Sequence, residues 1–353
     1  MSMGLIMKIK PLGLVRLSSS PISGPYIFGI QRSLGVPLPS TILGIIGFLE
    51  NIRLDKKDVR RDPLLGIGVL TDILLKESTT VLVKGPMLEI MKPYTREKVL
   101  AMHLQIKNDV SLIKIDENIL RTIRKYHVIL KTSQVGKIVP KVEIGIALRD
   151  SIEKSFNRTV ALGYAFRRVF VQYVDMDEKP LKIELIYELC RRLNIMKSLI
   201  RFGGEGRQAQ LMVEEMSEEY LKIFEKIVSP IEAKPGYYIV LNYWPLIPKT
   251  NTVFLRKEHF IGLEFFERPE SDIIGVPRIV ESLKEYIQPR INIVRLGLGF
   301  SEVLKIRRPQ ILTLSPGTII HIKHAFNEIK ERLPNIYIKL LKAGYSSLLS
   351  IDS

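Results

Sequence analysis

Gly203-Gly204-Glu205-Gly206-Arg207 is the stretch with the most evident chemistry. Three glycines remove Cβ atoms, so a phosphate can approach the backbone, and Arg207 can clamp it with a charge-assisted bond. The same residues also suit a tight hairpin in which Glu205 pairs with a structural arginine. Ser40 is a second candidate: its position predicts a helix cap, and the amides of Thr41 and Ile42 behind it can seat a phosphate. Plain capping is the alternative, and the two are compatible. Arg32, followed by Ser33, lies in a Gly-flanked loop from which a guanidinium can reach a phosphate or a base edge. Tyr26 and Phe28 nearby can stack on unpaired bases or pack into a core. Lys84, just before Gly85-Pro86, is a basic group at a strand break, either a phosphate contact or a solvated lysine. Arg158 and the pair Arg167-Arg168 complete the set. On a strand, one of two adjacent arginines faces solvent or RNA and the other needs an acidic partner.

Catalytic constellations are harder to find. The five histidines are His103, His127, His259, His321 and His324. Only His321 and His324 are close in sequence, and they straddle a predicted strand end without a cysteine or carboxylate pair, so no metal site is expected. Phosphate-loop, nucleophile-elbow and zinc-protease motifs are absent. The glycine run is not a dinucleotide fingerprint, because no capped helix follows it. Cys190 is the single cysteine, which excludes a disulfide framework and any multi-thiolate cluster, and its apolar surroundings predict a core thiol. No cofactor is expected. A metal-independent RNA-cleaving enzyme using one histidine with a lysine or tyrosine stays open as the alternative.

Those candidates sit in a strongly basic chain. Over 353 residues, 53 Lys and Arg oppose 37 Asp and Glu, a net charge of +16. The excess favours a polyanionic partner. Residues 1–150 carry 23 basic and 13 acidic side chains, residues 151–230 carry 13 and 12, and residues 231–353 carry 17 and 12. The excess is thus mainly N-terminal. A hydrophobic fraction of 46% with 25% charged residues is that of a globular protein. No apolar run is long enough to span a bilayer, and Met1 to Lys10 lacks a signal pattern, so the expectation is a soluble cytoplasmic protein without a membrane partner.

The elements that must position the candidates follow from apolar spacing and turn residues. Strands are predicted over 5–17, 80–91 (bulged or at an edge because of Pro86) and 164–174. A strand, Gly-rich turn and strand fill 197–214. Helices are predicted over 41–52, 181–194, 217–228, 276–287 and 324–333, the last closed by Pro334. Residues 92–140 read as an irregular insertion with a helix near 116–126. The cluster Lys56-Lys57-Asp58-Val59-Arg60-Arg61 reads as a loop. Further strands are predicted at 236–243, 291–298, 318–323 and 346–351. This order predicts an α+β fold of two tandem ferredoxin-like (RRM-like, βαββαβ) domains with insertions, over 1–215 and 216–353. No short sequence repeat accompanies that pattern.

Five segments, in order, resemble a known family. They are Gly29-Ile30-Gln31-Arg32-Ser33-Leu34-Gly35 with Pro37-Leu38-Pro39-Ser40-Thr41-Ile42-Leu43-Gly44; Lys84-Gly85-Pro86; Gly145-Ile146-Ala147-Leu148 with Asn157-Arg158-Thr159 and Gly163-Tyr164; Phe202-Gly203-Gly204-Glu205-Gly206-Arg207; and Gly299-Phe300-Ser301 with Arg308-Pro309 and Leu314-Ser315-Pro316-Gly317-Thr318-Ile319. Their order and spacing resemble the third-subunit family of the Cmr (type III-B CRISPR) effector module, in the RAMP superfamily. The resemblance implies two ferredoxin-like domains and no catalytic site. It implies binding of the repeat-derived 5′ tag of the CRISPR RNA, with target RNA met only indirectly. It further implies contacts with the large polymerase-like subunit and with the first backbone RAMP subunit of the filament. A RAMP-superfamily endoribonuclease that processes CRISPR RNA is the alternative.

Overall fold

Alternating apolar residues organise most of the chain into antiparallel sheets. The computed structural model describes residues 4–17, 34–76, 81–92, 97–106, 109–148, 160–191, 193, 197–203, 207–249, 256–285 and 287–352. β1 (Leu5–Pro11) is followed by α1 (Pro39–Leu49), α2 (Lys56–Arg61), α3 (Ile67–Leu75) and β2 (Val83–Met91). Next come β3 (Lys98–Ile106), β4 (Asp109–Lys114), α4 (Glu117–Tyr126) and β5 (Val128–Leu130). A long hairpin, β6 (Gln134–Leu148) and β7 (Val160–Val174), leads to β8 (Lys182–Leu189), β9 (Lys197–Arg201) and β10 (Gln208–Glu215). Nine of these strands form one sheet in the order β7-β6-β4-β3-β2-β8-β1-β10-β9. The sheet curls strongly: Val15, just past β1, exchanges backbone hydrogen bonds with Val171 on β7, six strands away in the order.

The rest of the chain begins with α5 (Glu218–Phe224), β11 (Ile227–Val228), β12 (Gly236–Val240), β13 (Trp244–Pro248), β14 (Phe260–Ile261), α6 (Pro269–Asp272), β15 (Ile273–Gly275) and β16 (Arg278–Val280). It continues through β17 (Ile293–Gly297), β18 (Phe300–Ser301), β19 (Ile306–Arg307), β20 (Gln310–Leu314), β21 (Ile319–Ile322), α7 (Phe326–Ile329), α8 (Asn335–Lys342) and β22 (Leu348–Ser350). A five-stranded sheet runs β11-β22-β12-β21-β15, and a four-stranded one runs β14-β13-β20-β17. Two quartets share one antiparallel order: β2-β8-β1-β10 and β15-β21-β12-β22. Numbered by their appearance in the chain, each quartet reads 2-3-1-4.

Burial explains the layering. Ile42 and Ile46 of α1, with Leu70 and Leu74 of α3, cover one face of the nine-stranded sheet through Met7, Ile9, Leu185 and Tyr187. The other face, with Ile6, Met87 and Ile186, packs on Ile239, Ile319 and Leu349 of the five-stranded sheet. Beyond that sheet, Val240, Ile320 and Leu348 meet Trp244, Phe265, Phe266 and Tyr337. Leu340 of α8 reaches back into the α1–α3 layer.

Several predicted elements differ from those observed. Residues 181–194 were expected as a helix, but Lys182–Leu189 is the strand β8. Ile183, Leu185, Tyr187 and Leu189 alternate onto one face while Ile186 fills the other. A strand buried on both sides therefore carries apolar residues at helical spacing too. Residues 276–287 are not a helix; Arg278–Val280 forms β16, parallel to β5. Within 92–140 the described residues are largely regular, extending the main sheet with β3 and β4. Lys56–Arg61 is helical rather than a loop, capped by Asp55, whose carboxylate accepts from the Lys57 amide. The strand from Leu5 stops at Pro11. Pro334 does not only end a helix; it caps α8, which the sequence reading missed.

Candidate nucleic-acid interface

Three of the five motif segments converge on one recess. Arg16, Leu17, Leu34, Leu38, Thr41, Gly203 and Gly299 line a pocket of about 200 Å³. Leu17 and Leu34 stand at its rim, joined by a 2.6 Å bond from the Leu34 amide to the Leu17 carbonyl. The segment holding Tyr26, Phe28, Arg32 and Ser33 leaves and returns at this rim, and those four lie outside the described residues. Thr41 comes from the first turn of α1, and Gly299 from the strand-to-hairpin link before β18. Gly203 closes the β9 end with φ +84°, and a Cβ there would collide with the Arg16 carbonyl oxygen. No other residue type tolerates both conditions, and the space that the missing Cβ of Gly203 leaves is taken by the Arg16 carbonyl rather than left open to a phosphate. Gly204 and Gly206 lie outside the described residues.

Arg207 follows directly. Its guanidinium lies 4.6 Å from the centre of the Phe170 ring on β7. One Nη is 4.0 Å from the Glu143 carboxylate on β6, and the side chain is 37% exposed. A partly exposed arginine stacked on a ring, with one distant carboxylate, keeps donors available for an incoming anion. The Arg207 carbonyl accepts from the Phe202 amide at 2.8 Å, which ties the turn to β9. Arg167 and Arg168 lie on β7, opposite Ile144 and Glu143 in backbone register. Arg158 lies outside the described residues.

Two predicted contacts are corrected. Ser40 is not the helix cap: α1 starts at Pro39, with Leu38 as the cap residue. Proline at the first helical position supplies the start instead. The amides of Thr41 and Ile42 donate to the Leu38 carbonyl at 2.8 and 3.2 Å, so they are not a phosphate seat. Ser40 is buried, and its hydroxyl accepts from Tyr345 at 3.3 Å. Lys84 is not presented to a ligand either. Its ammonium is 3.0 Å from Glu232 and 3.6 Å from Glu188, with the side chain 14% exposed. Burial pulls its pKa down, but the Glu188 and Glu232 carboxylates together outweigh that and raise it. Beside it, the register of β2 against β8 shifts between Lys84 and Met87, the expected bulge, and the Gly85–Pro86 bond is cis. Asn242 donates to the Gly85 and Gly344 carbonyls at 2.9 and 2.8 Å. The second motif segment therefore fastens the early part of the chain to the late part.

Arg308, from the fifth motif segment, is a neighbour whose role the sequence alone does not show. Its amide donates to the Gly299 carbonyl at 2.9 Å and its Nε to Leu65 at 3.1 Å. Burial pulls its pKa down, against Tyr345, Asp62 and Glu302. Its work is to hold the Gly299 wall of the recess to the start of α3. The signal for it was the bare Arg308-Pro309 pair.

Other titratable groups are placed away from this recess. His103 is buried, and burial pushes its pKa down to about 3, so it is neutral. His321 stacks on Tyr237 at 3.9 Å. Among the described residues, no group of three or more His, Cys, Asp or Glu is placed to hold a metal. Burial pushes the Cys190 thiol up to about 12. No described helix is long and apolar enough to cross a membrane.

No protein-family model and no curated protein sequence matches this chain. Solved structures do. A chain of the cryo-EM structure of the type III-B Cmr-beta bound to cognate target RNA and AMPPnP, state 1, matches with a TM-score of 0.64 and 20% identity. The match covers 98% of this chain and 96% of that one. A chain of the structure bound to cognate target RNA alone gives 0.63 and 19%, with the same coverage. At these identities the likeness establishes a shared fold along nearly the whole length: mixed α and β, with mostly antiparallel sheets.

Proposed function

We propose that this chain is a non-catalytic RNA-holding subunit of a type III-B CRISPR (Cmr) effector, acting in the cytoplasm. It seats the 5′ repeat-derived tag of the CRISPR RNA and bridges the large polymerase-like subunit to the first backbone subunit. The observation that carries the reading is the recess where Leu34, Thr41, Gly203 and Gly299 meet, next to Arg207. It gathers three separate segments that resemble the third-subunit family, and it sits under a net charge of +16. The fold shared with chains of Cmr complexes supports membership of such an assembly.

The two strand quartets support a reading as a pair of ferredoxin-like units, 1–215 and 216–353. In this reading strands fill most of one of the two crossovers in each unit, with only the single-turn α6 beside them in the second. The first keeps α1 and α3 but has β9 where a second crossover helix would lie. The second keeps α7 and α8 but has β13 and β14 before β15.

The test is a complex reconstituted with this subunit and assayed for CRISPR RNA carrying or lacking the tag. Tag-bearing RNA binds more tightly, and Arg207→Ala weakens it about tenfold, since an arginine–phosphate contact is worth about 1–3 kcal/mol. Equal affinity for both RNAs in the assembled complex overturns the reading. A single metal-independent cut in repeat RNA by the purified chain favours the processing endoribonuclease instead.

A further inference from the structure

A second recess, of about 410 Å³, lies along the β6–β7 hairpin and is lined by Lys10, Lys141, Lys182 and Gln172 among others. These residues are far apart in sequence. The curl of the main sheet brings them together: Lys10 is the last residue but one of β1, Lys182 opens β8, and Lys141 and Gln172 belong to the hairpin. The turn between β7 and β8 is tied by the Leu181 amide, which donates to the Tyr173 carbonyl at 2.9 Å. Glu184 lies 3.7 Å from Lys10. Lys141 and Lys182 are exposed and have no ion pair among the described residues. Three ammonium groups against one carboxylate leave a net positive hollow.

The hollow neighbours the Arg207 turn through the strand register. Lys141 is the cross-strand partner of Phe170, the ring on which Arg207 stacks. Cross-strand partners share a face, and so do residues two apart on one strand. Lys141, Phe170 and Gln172 are therefore on one face, in a row. From the other side, the Leu12 amide donates to the Gln208 carbonyl at 3.1 Å, which sets the end of β1 beside the residue after Arg207.

The lining indicates what fits. Lysine ammonium groups and an amide are donors suited to phosphate oxygens. The one ring in the lining, Tyr173, is buried with its hydroxyl donating to the Gly35 carbonyl at 2.7 Å, so no aromatic face is open to a base. Phosphate without base recognition describes a nucleic-acid backbone. We propose that Lys10, Lys141, Lys182 and Gln172 form a phosphate seat for the RNA strand that runs on from the Arg207 turn. The inference rests on the preceding reading in one respect, that the strand at Arg207 is RNA.

The experiment measures binding of the full chain to a tag oligoribonucleotide extended at its 3′ end, over a range of salt. Lys141→Ala with Lys182→Ala weakens binding roughly tenfold. It also lowers the slope of log K against log salt by about 1.4, two phosphate contacts at ~0.7 each for a single strand. The corresponding double change to arginine keeps both. Wild-type affinity and slope in the alanine variant, with Arg207→Ala still weakening the RNA, overturn the lysine seat and leave the tag reading standing. No binding of this RNA by the wild-type chain overturns both. Calorimetric binding of inorganic phosphate that the alanine variant loses, without any change in RNA affinity, assigns the hollow to free phosphate and overturns the RNA path.

Discussion

Among the described residues, Lys84→Met removes the one cation paired with the Glu188 and Glu232 carboxylates. Lys84, Glu188 and Glu232 are 14%, 22% and 33% exposed at the side chain, with ion pairs of 3.6 and 3.0 Å. Breaking a fully buried pair by deleting one partner costs about 3–5 kcal/mol, and partial solvent access reduces that to about 2–3. Unfolding entropy near 2.1 cal/mol/K per residue makes this a fall of about 3–4 °C in Tm for a chain of this length. The pH dependence has a definite sign. In the native protein, burial raises the Glu188 pKa first, Glu232 raises it further, and Lys84 opposes both. Without Lys84 the folded-state pKa of Glu188 rises more. A carboxyl raised in the folded state contributes stability in acid that is lost as pH rises through its folded value. The variant's deficit is therefore largest near pH 8 and shrinks towards pH 5. Lys84 itself, raised in the folded state, keeps its stabilising contribution through neutrality and loses it only above its ordinary range. Thermal unfolding at pH 5 and pH 8, alongside RNA binding at 20 °C, tests this. An unchanged Tm at pH 8, or a loss of RNA affinity while the protein is still folded, refutes the assignment of Lys84 to structure.

Gly203→Ala meets both a positive φ and the Arg16 carbonyl, so it costs at least about 1–2 kcal/mol, lowers Tm by about 2 °C and weakens tag RNA several-fold; unchanged binding would separate this turn from RNA. Cys190 is only half-buried, but its thiol, pushed up to about 12, reacts with N-ethylmaleimide at pH 8 roughly a thousandfold more slowly than free cysteine, and rapid labelling of the folded chain contradicts that shift.

What the sequence made legible followed the distance over which its signals act. The β9–β10 hairpin, α4 with Asp116 accepting from the Ile119 amide, and the bulge at Gly85-Pro86 are set by neighbours a few residues apart. β8 was misread because burial on both faces erased its period of two, and that burial comes from strands and helices distant in sequence. The site divides the same way. The glycine turn and Arg207 were visible as residue types. The destination of Lys84 was not, because Glu232 lies 148 residues further along the chain. Nothing in the spacing of Lys10, Lys141 and Lys182 relates them to one another, and only the curl of the sheet makes them neighbours.

The nine-stranded sheet has no bare face at its centre. Leu185, Ile186 and Tyr187 are consecutive and all buried, one side under helices and the other against a second sheet. Many single-strand readers lay bases across the open face of such a sheet, on exposed rings. That platform is occupied here by the protein's own layers. On the reading proposed above, a bound strand therefore meets the turns, hairpin flanks and strand ends around this sheet, beside groups such as Arg207 and Lys141. Much of the grip on the tag then rests on its sugar-phosphate chain in that reading, and the affinity for tag RNA falls steeply as salt rises.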